Sequence, residues 1–219
     1  SVISDLDVVP RSLILWRGVT HWVGGLGIVV LFIALFPQPG SGAARMFNAE
    51  GAGPSESRVV PRIKETANAL LIMYVAFSLV LLTLLLLCGL SLFDAVNLAM
   101  SAVATGGFAT TNGSAGDFNS LPVEIVLIIF MLIGGGNFGL YFMGWKKGYR
   151  HILKDTEFRV YILMFLIVTP LVMLNLTNIM GLDGGTALRH AAFQMASIMT
   201  STGLATCNFD QWPAFSQFC

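Results

Sequence analysis

Two glycine-centred stretches hold the groups best suited to chemistry in this chain. One runs from Ser101 to Asn112 (SAVATGGFATTN) and the other from Ser197 to Asn208 (SIMTSTGLATCN). They align without a gap at an offset of 96 residues, with identical pairs Ser101/Ser197, Gly107/Gly203, Ala109/Ala205, Thr110/Thr206 and Asn112/Asn208. Hydroxyls and backbone carbonyls can surround a dehydrated monovalent cation without supplying net charge. Glycine at the centre admits positive φ, which lets successive carbonyls turn the same way. One such loop behind a helix also fits a simple helix C-cap. Two gapless copies, each behind an apolar helix, point instead to several loops around one axis.

The elements that must position these loops are apolar. Of 219 residues, 55% are hydrophobic and 11% charged, and mean hydropathy is +0.77. Soluble domains carry about 25% charged residues, so the composition is that of an all-α membrane protein. A net charge of zero excludes the usual nucleic-acid-binding profile. Cys88, Cys207 and Cys219 show no metal-ligand spacing, and no nucleophile–base pair or phosphate loop appears, so an enzyme is not expected and no cofactor is implied. Gly134–Gly139 formally fits G-x-G-x-x-G, but it lies in an apolar helical run with no strand before it. A dinucleotide site needs that strand; close helix packing or a hinge is the better reading, as it is for Gly24, Gly25 and Gly27.

Four runs reach spanning length, about 20 residues: Leu13–Phe36, Ala67–Leu92, Val123–Trp145 and Val160–Leu176, the last with a kink expected at Pro170. Two shorter runs, Phe93–Val103 and Leu188–Met199, cannot cross a hydrocarbon core of about 30 Å and read as re-entrant half-helices leading into the loops. Non-helical backbone at membrane depth survives only where protein or water covers it. The expected division is 1–36, a closing helix; 37–66, a loop rich in Gly, Pro and Ser; 67–146, a complete unit; 147–159, a loop; and 160–219, a further unit cut short. No initiator Met or leader is present, and the chain reads as an internal part of a longer polypeptide.

Arg45, Arg58, Arg62, Lys64, Lys146, Lys147, Arg150, Lys154 and Arg159 make up nine of the 12 basic residues and fall in two connections on one side. The positive-inside rule makes that side cytoplasmic, so the repeated loops open outward. The acids on the outer side, among them Asp94, Asp117, Glu124, Asp183 and Asp210, either draw cations to a mouth or simply remain where bases are excluded. Arg17 and His21 lie one turn apart on the first span, in either a structural role or one that shapes the surround of the loops. Arg189 opens the second half-helix, where its charge opposes the helix dipole, and a pairing with Asp183 or Asp210 is expected.

Potassium-channel filters use four TVGYG loops whose carbonyls replace water. Thr105-Gly106-Gly107-Phe108-Ala109 and Ser201-Thr202-Gly203-Leu204-Ala205 fit a relaxed form of that pattern. With these loops, the Trp16–Gly27 segment (WRGVTHWVGGLG) and the Ile133–Gly139 segment (IGGGNFG), the chain resembles the Trk/Ktr/HKT superfamily of potassium transporters, nearest to its TrkH branch. The resemblance covers essentially the whole chain. It implies M1–P–M2 potassium-channel-like repeats with re-entrant pore helices, four repeats in one polypeptide around one pore. It implies K⁺ at the carbonyls of Thr105, Gly106, Gly107, Phe108, Ser201, Thr202, Gly203 and Leu204. Phe108 and Leu204 in place of Tyr, and Ala109 and Ala205 in place of the last Gly, imply weaker discrimination against Na⁺ than in a true channel. It further implies a homodimer in a bacterial inner membrane and a cytosolic, nucleotide-binding regulatory partner of TrkA type. The alternative from another class is an ion-coupled carrier with broken helices, whose repeats are often inverted.

Overall fold

A computed structural model describes residues 5–6, 8–35 and 59–218. Nine helices appear among them: α1 (Arg11–Leu35), α2 (Val59–Leu87), α3 (Leu92–Val103), α4 (Leu121–Gly134), α5 (Phe138–Lys147), α6 (Arg150–Lys154), α7 (Thr156–Met180), α8 (Gly184–Met199) and α9 (Ala214–Phe218). No strand occurs among the described residues. Most of the expected loop 37–66 lies outside them, but its last residues are helical because α2 already begins at Val59. Pro61 sits in that first turn, where its missing N–H has no helical partner to lose.

Among the described residues two helices are long and apolar enough to cross a membrane, within α2 (Asn68–Leu87) and as the whole of α7, and α4 with α5 makes a third if the bent pair counts as one span. α2 ends where Gly89 turns left-handed at φ +91° and the Leu90 N–H returns to the Leu85 carbonyl. Three residues later α3 starts, its N-terminus capped by the Ser91 hydroxyl, which takes the Asp94 N–H at 3.2 Å. α8 starts four residues before the expected Leu188, because Asp183 caps it by accepting the Gly185 N–H. At 12 and 16 residues, α3 and α8 measure about 18 and 24 Å, both short of a crossing. α7 continues through Pro170 and stops at the left-handed Gly181.

The expected single span Val123–Trp145 is corrected. It breaks at Gly135–Asn137 into α4 and α5, bent by 91°. A continuous helix would send the Gly136 N–H to the Leu132 carbonyl; instead it bonds Ile133 O at 3.2 Å. The freed Leu132 carbonyl accepts from the Tyr161 hydroxyl of α7 at 3.0 Å, so that acceptor is not stranded. Asn137 then caps α5 by accepting from the Gly139 and Leu140 N–H groups. The glycines here also make room. A Cβ on Gly134 would lie 3.0 Å from the Ala102 carbonyl oxygen, and one on Gly135 2.7 Å from Thr200. The end of α4 is therefore wedged between the C-terminal ends of α3 and α8.

A hydrophobic core surrounds α3. Leu81 and Leu85 of α2, Leu98 and Ala102 of α3, Leu127 and Met131 of α4 and Phe193 of α8 are all fully buried in it. α1 packs on α3 through Gly18, whose Cβ would meet Asn97, and on Tyr74 and Ala104 through Gly25. Gly24 and Gly27 have no such neighbour among the described residues, so of the packing-or-hinge reading of these three glycines, close packing holds there at Gly25. Polar groups between α1 and α2 satisfy one another: Tyr74 OH donates to Trp22 O, and Trp22 Nε1–H to Ser78 Oγ. In Tyr161→Phe the Leu132 carbonyl loses its partner, and we expect the full-length protein in detergent to lose about 1–3 kcal/mol. A thermal midpoint equal to wild type would mean the break does not depend on that bond.

Candidate ion-binding site

Both repeated loops leave their helices in the same way. The Ala104 N–H bonds Met100 O and the Thr200 N–H bonds Ala196 O. Thr105 bonds Ala102 O, and Ser201 bonds Ile198 O. Gly106 reaches back five residues to Ser101 O at 2.7 Å, and Thr202 to Ser197 O at 2.8 Å. That last bond is the one a left-handed residue makes possible at a helix end. The left-handed residues are Thr105 (φ 50°) and Ser201 (φ 56°), followed two positions on by Gly107 (φ 72°) and Gly203 (φ 85°). Gly106 and Thr202 between them are not left-handed. Alternating hand along a strand of chain is the conformation in which neighbouring carbonyls can share one side. Left-handed backbone costs a residue bearing a side chain about 1–2 kcal/mol, and such strain gathers at functional sites.

The two loops touch. A Cβ on Gly107 would overlap the Thr202 carbonyl oxygen, whereas one on Gly203 would lie 3.9 Å from Gly107 Cα. Gly107 is thus required by space and Gly203 by φ. Leu204 is fully buried, whereas Phe108 is half-buried. The eight expected ion-binding residues fall into these two adjoining loops, Thr105–Phe108 and Ser201–Leu204. The C-terminal ends of α3 and α8, each partially negative, lead into them.

Arg17 and His21 meet the first loop. The Arg17 guanidinium stacks 4.1 Å above the Phe108 ring, and His21 meets that ring edge-on at 4.6 Å. A Cβ on Gly106 would overlap the His21 imidazole. These contacts place the pair against the first loop and serve either of the two roles considered for it.

Three further ties link the copies. Gly116, in a 3₁₀ turn over Ser114–Phe118, donates its N–H to Ala205 O at 3.1 Å, and the Ala205 N–H bonds Ser114 Oγ. Arg189 does not pair with Asp183 or Asp210. It makes a two-pronged bond to Glu124 of α4, Nε–H to Oε2 at 2.6 Å and Nη2–H to Oε1 at 2.7 Å, with Asn119 also accepting from Nη2. Glu124 is 2% exposed, so a carboxylate inside α4 was the nearer partner. The hydrogen bond to Glu124 raises the Arg189 pKa further. Burial lowers that of His190; Glu124 opposes this and Arg189 adds to it. Sequence reasoning grouped Glu124 with the outer acids, either as part of a cation-drawing mouth or as acids left where bases are excluded, and did not pair it with Arg189. It also missed the bonds of Thr110 to Asp94 and of Thr206 to His190, although the identical pair Thr110/Thr206 was a signal. A cavity of about 460 Å³ opens over the loop exits, lined by Asn112, Gly113, Asp117, Thr206, Asn208 and Phe209 among others.

The TrkH sequence profile, described as a cation transport protein, matches residues 1–219. The chain belongs to the TrkH family. The Trk system potassium uptake protein TrkH of Vibrio parahaemolyticus is 35% identical over 98% of this chain and 45% of its own length. That of Escherichia coli is 33% identical over 96% of this chain and 44% of its own. The crystal structure of the potassium transporter TrkH from Vibrio parahaemolyticus superposes with a TM-score of 0.83 at 32% identity, covering 100% of this chain and 44% of that one. The chain therefore spans somewhat less than half the length of these TrkH proteins, and its fold is the helical, channel-like fold of that family.

Removing one half of the buried pair should be costly. Arg189→Ala leaves the buried Glu124 carboxylate without its partner, and we expect a loss of about 3–5 kcal/mol. Thermal denaturation of the full-length protein measures it; a midpoint within error of wild type would exclude a structural role for the pair.

Proposed function

We propose that this chain supplies two of the walls of a potassium-uptake pore, with the carbonyls of Thr105–Phe108 and of Ser201–Leu204 as selectivity-filter ligands. The observation that carries the proposal is the repeated alternation of left-handed backbone at Thr105 and Gly107 and at Ser201 and Gly203, in two loops that touch. Carbonyls presented this way replace the hydration shell of K⁺ without a charged ligand. The TrkH relatives named for potassium uptake support the choice of ion. The basic connections face the cytoplasm of a bacterial inner membrane and the loops open outward. No observation favours the inverted-repeat carrier: inverted copies face opposite sides, whereas these leave their helices by the same bonds and lie side by side.

The unit 67–146 is one M1–P–M2 repeat in this reading, with α2, α3 and the broken α4–α5 pair as its three parts. Regulation follows the same family logic: a homodimer docks a cytosolic, nucleotide-binding partner of TrkA type against its basic face. Neutralising Lys146, Lys147, Arg150, Lys154 and Arg159 together should abolish copurification of that partner. Undiminished copurification would reduce these charges to topology signals.

Gly203→Ser is the sharper test of the filter, since it strains φ without meeting a neighbour. Rubidium uptake by the full-length protein in proteoliposomes, competed with K⁺ and Na⁺, should prefer K⁺ in wild type. The variant should lose most of that preference, by about tenfold for the 1–2 kcal/mol of strain. Uptake with unchanged preference would remove these loops from the ion path.

A further inference from the structure

Each loop is anchored at its inner end by the bonds from Gly106 to Ser101 and from Thr202 to Ser197. The outer ends are anchored too, by bonds that no motif announces. Thr110 Oγ donates to Asp94 Oδ1 at 2.5 Å. Thr206 Oγ lies 3.1 Å from His190 Nδ1. Thr110 and Thr206 occupy the same position in the two copies, three residues beyond the central glycine, and Asp94 and His190 occupy the same position in the first turns of α3 and in the early part of α8. Both bonds close the same 16-residue separation. The partner has changed from a carboxylate to an imidazole, yet the bond is present in both copies.

We propose that Thr110 with Asp94, and Thr206 with His190, are positioning residues for ion selectivity, tying the outer end of each loop to the start of its own pore helix. The inference rests on the filter reading above. A carbonyl set can discriminate between ions only while its oxygens keep their spacing, and residues 105–110 and 201–206 hang between two fixed points. Cutting the outer tie frees the loop to let its carbonyls turn away.

The two ties are unequal. Asp94 is held from both sides, with Oδ2 accepting from the Ser91 hydroxyl at 2.6 Å while Oδ1 takes Thr110. A bond to a carboxylate is roughly twice as strong as one between neutral groups. The first loop is thus held more firmly, and the second is also propped from outside by Ser114 and Gly116.

The test compares ion preference, which does not depend on how much folded protein is recovered. Rubidium uptake by the full-length protein in proteoliposomes, competed with K⁺ and Na⁺, is measured for Thr206→Val, Thr206→Ser, His190→Ala, His190→Ala with Thr206→Val, and Thr110→Val. Valine keeps the shape of threonine and removes only the hydroxyl's bond. K⁺ over Na⁺ preference should fall about three- to tenfold in Thr206→Val, the worth of one hydrogen bond, and further in Thr110→Val. Thr206→Ser should retain it. The double variant should be no worse than either single one, as expected for two halves of one bond. Should Thr206→Val fail to fold, His190→Ala reads the same bond from its other side. Wild-type preference in both valine variants, or losses at 190 and 206 that multiply in the double variant, would overturn the proposal. Gly203→Ser run alongside separates the two failures. If it loses preference while the valine variants keep theirs, the ties fail and the filter stands; if it too keeps preference, the filter reading falls.

Discussion

The backbone of Gly107 lies against the Thr202 carbonyl oxygen with no room for a Cβ between them. Much of the surrounding structure holds two stretches of non-helical backbone this close inside an apolar protein. Such backbone is tolerated in a membrane only where protein or water covers it. Here α3 and α8 carry the loops in from one side, α4 ends in the gap beneath them, and α1 lays Arg17 and His21 on the Phe108 ring. The strain at Thr105 and Ser201 has the same origin. A glycine there would relieve it, but the chain places a hydroxyl-bearing residue in a left-handed turn in both copies.

Charge is used sparingly and mostly away from the loop backbone. The Glu124–Arg189 pair joins α4 to α8. Glu124 is buried, while Arg189 is partly exposed and also bonds Asn119. A buried pair of this kind seldom adds much stability over apolar packing. It fixes which helix lies beside which, and the ties from Gly116 and Ala205 act in the same place. The early turns of α4 and α8 are thus held in register beside the loop exits.

Much of the architecture was legible in the sequence because membrane helices announce themselves by length and hydropathy. α7 and the two short helices α3 and α8 could be read that way within a few residues at their ends, whereas α2 starts eight residues before the expected Ala67 and stops five before Leu92. The loops were legible because they are repeated. The break between α4 and α5 was not, since Gly135 and Gly136 lie in an apolar run that continues on both sides. The Leu132 carbonyl freed at the break is satisfied by Tyr161, 29 residues downstream, which donates its hydroxyl to it. The partner of Arg189 was missed for a similar reason: Glu124 is 65 residues away in sequence and nothing local points to it. Sequence proximity favoured Asp183, whose carboxylate is already occupied capping α8.

The central claim is that these two loops present their carbonyls to one ion path. Its most direct measurement is anomalous diffraction from crystals of the full-length protein soaked in rubidium. The account predicts rubidium peaks within ion-coordination distance of carbonyl oxygens from both Thr105–Phe108 and Ser201–Leu204. Rubidium bound elsewhere in the protein, with none between these loops, would contradict it.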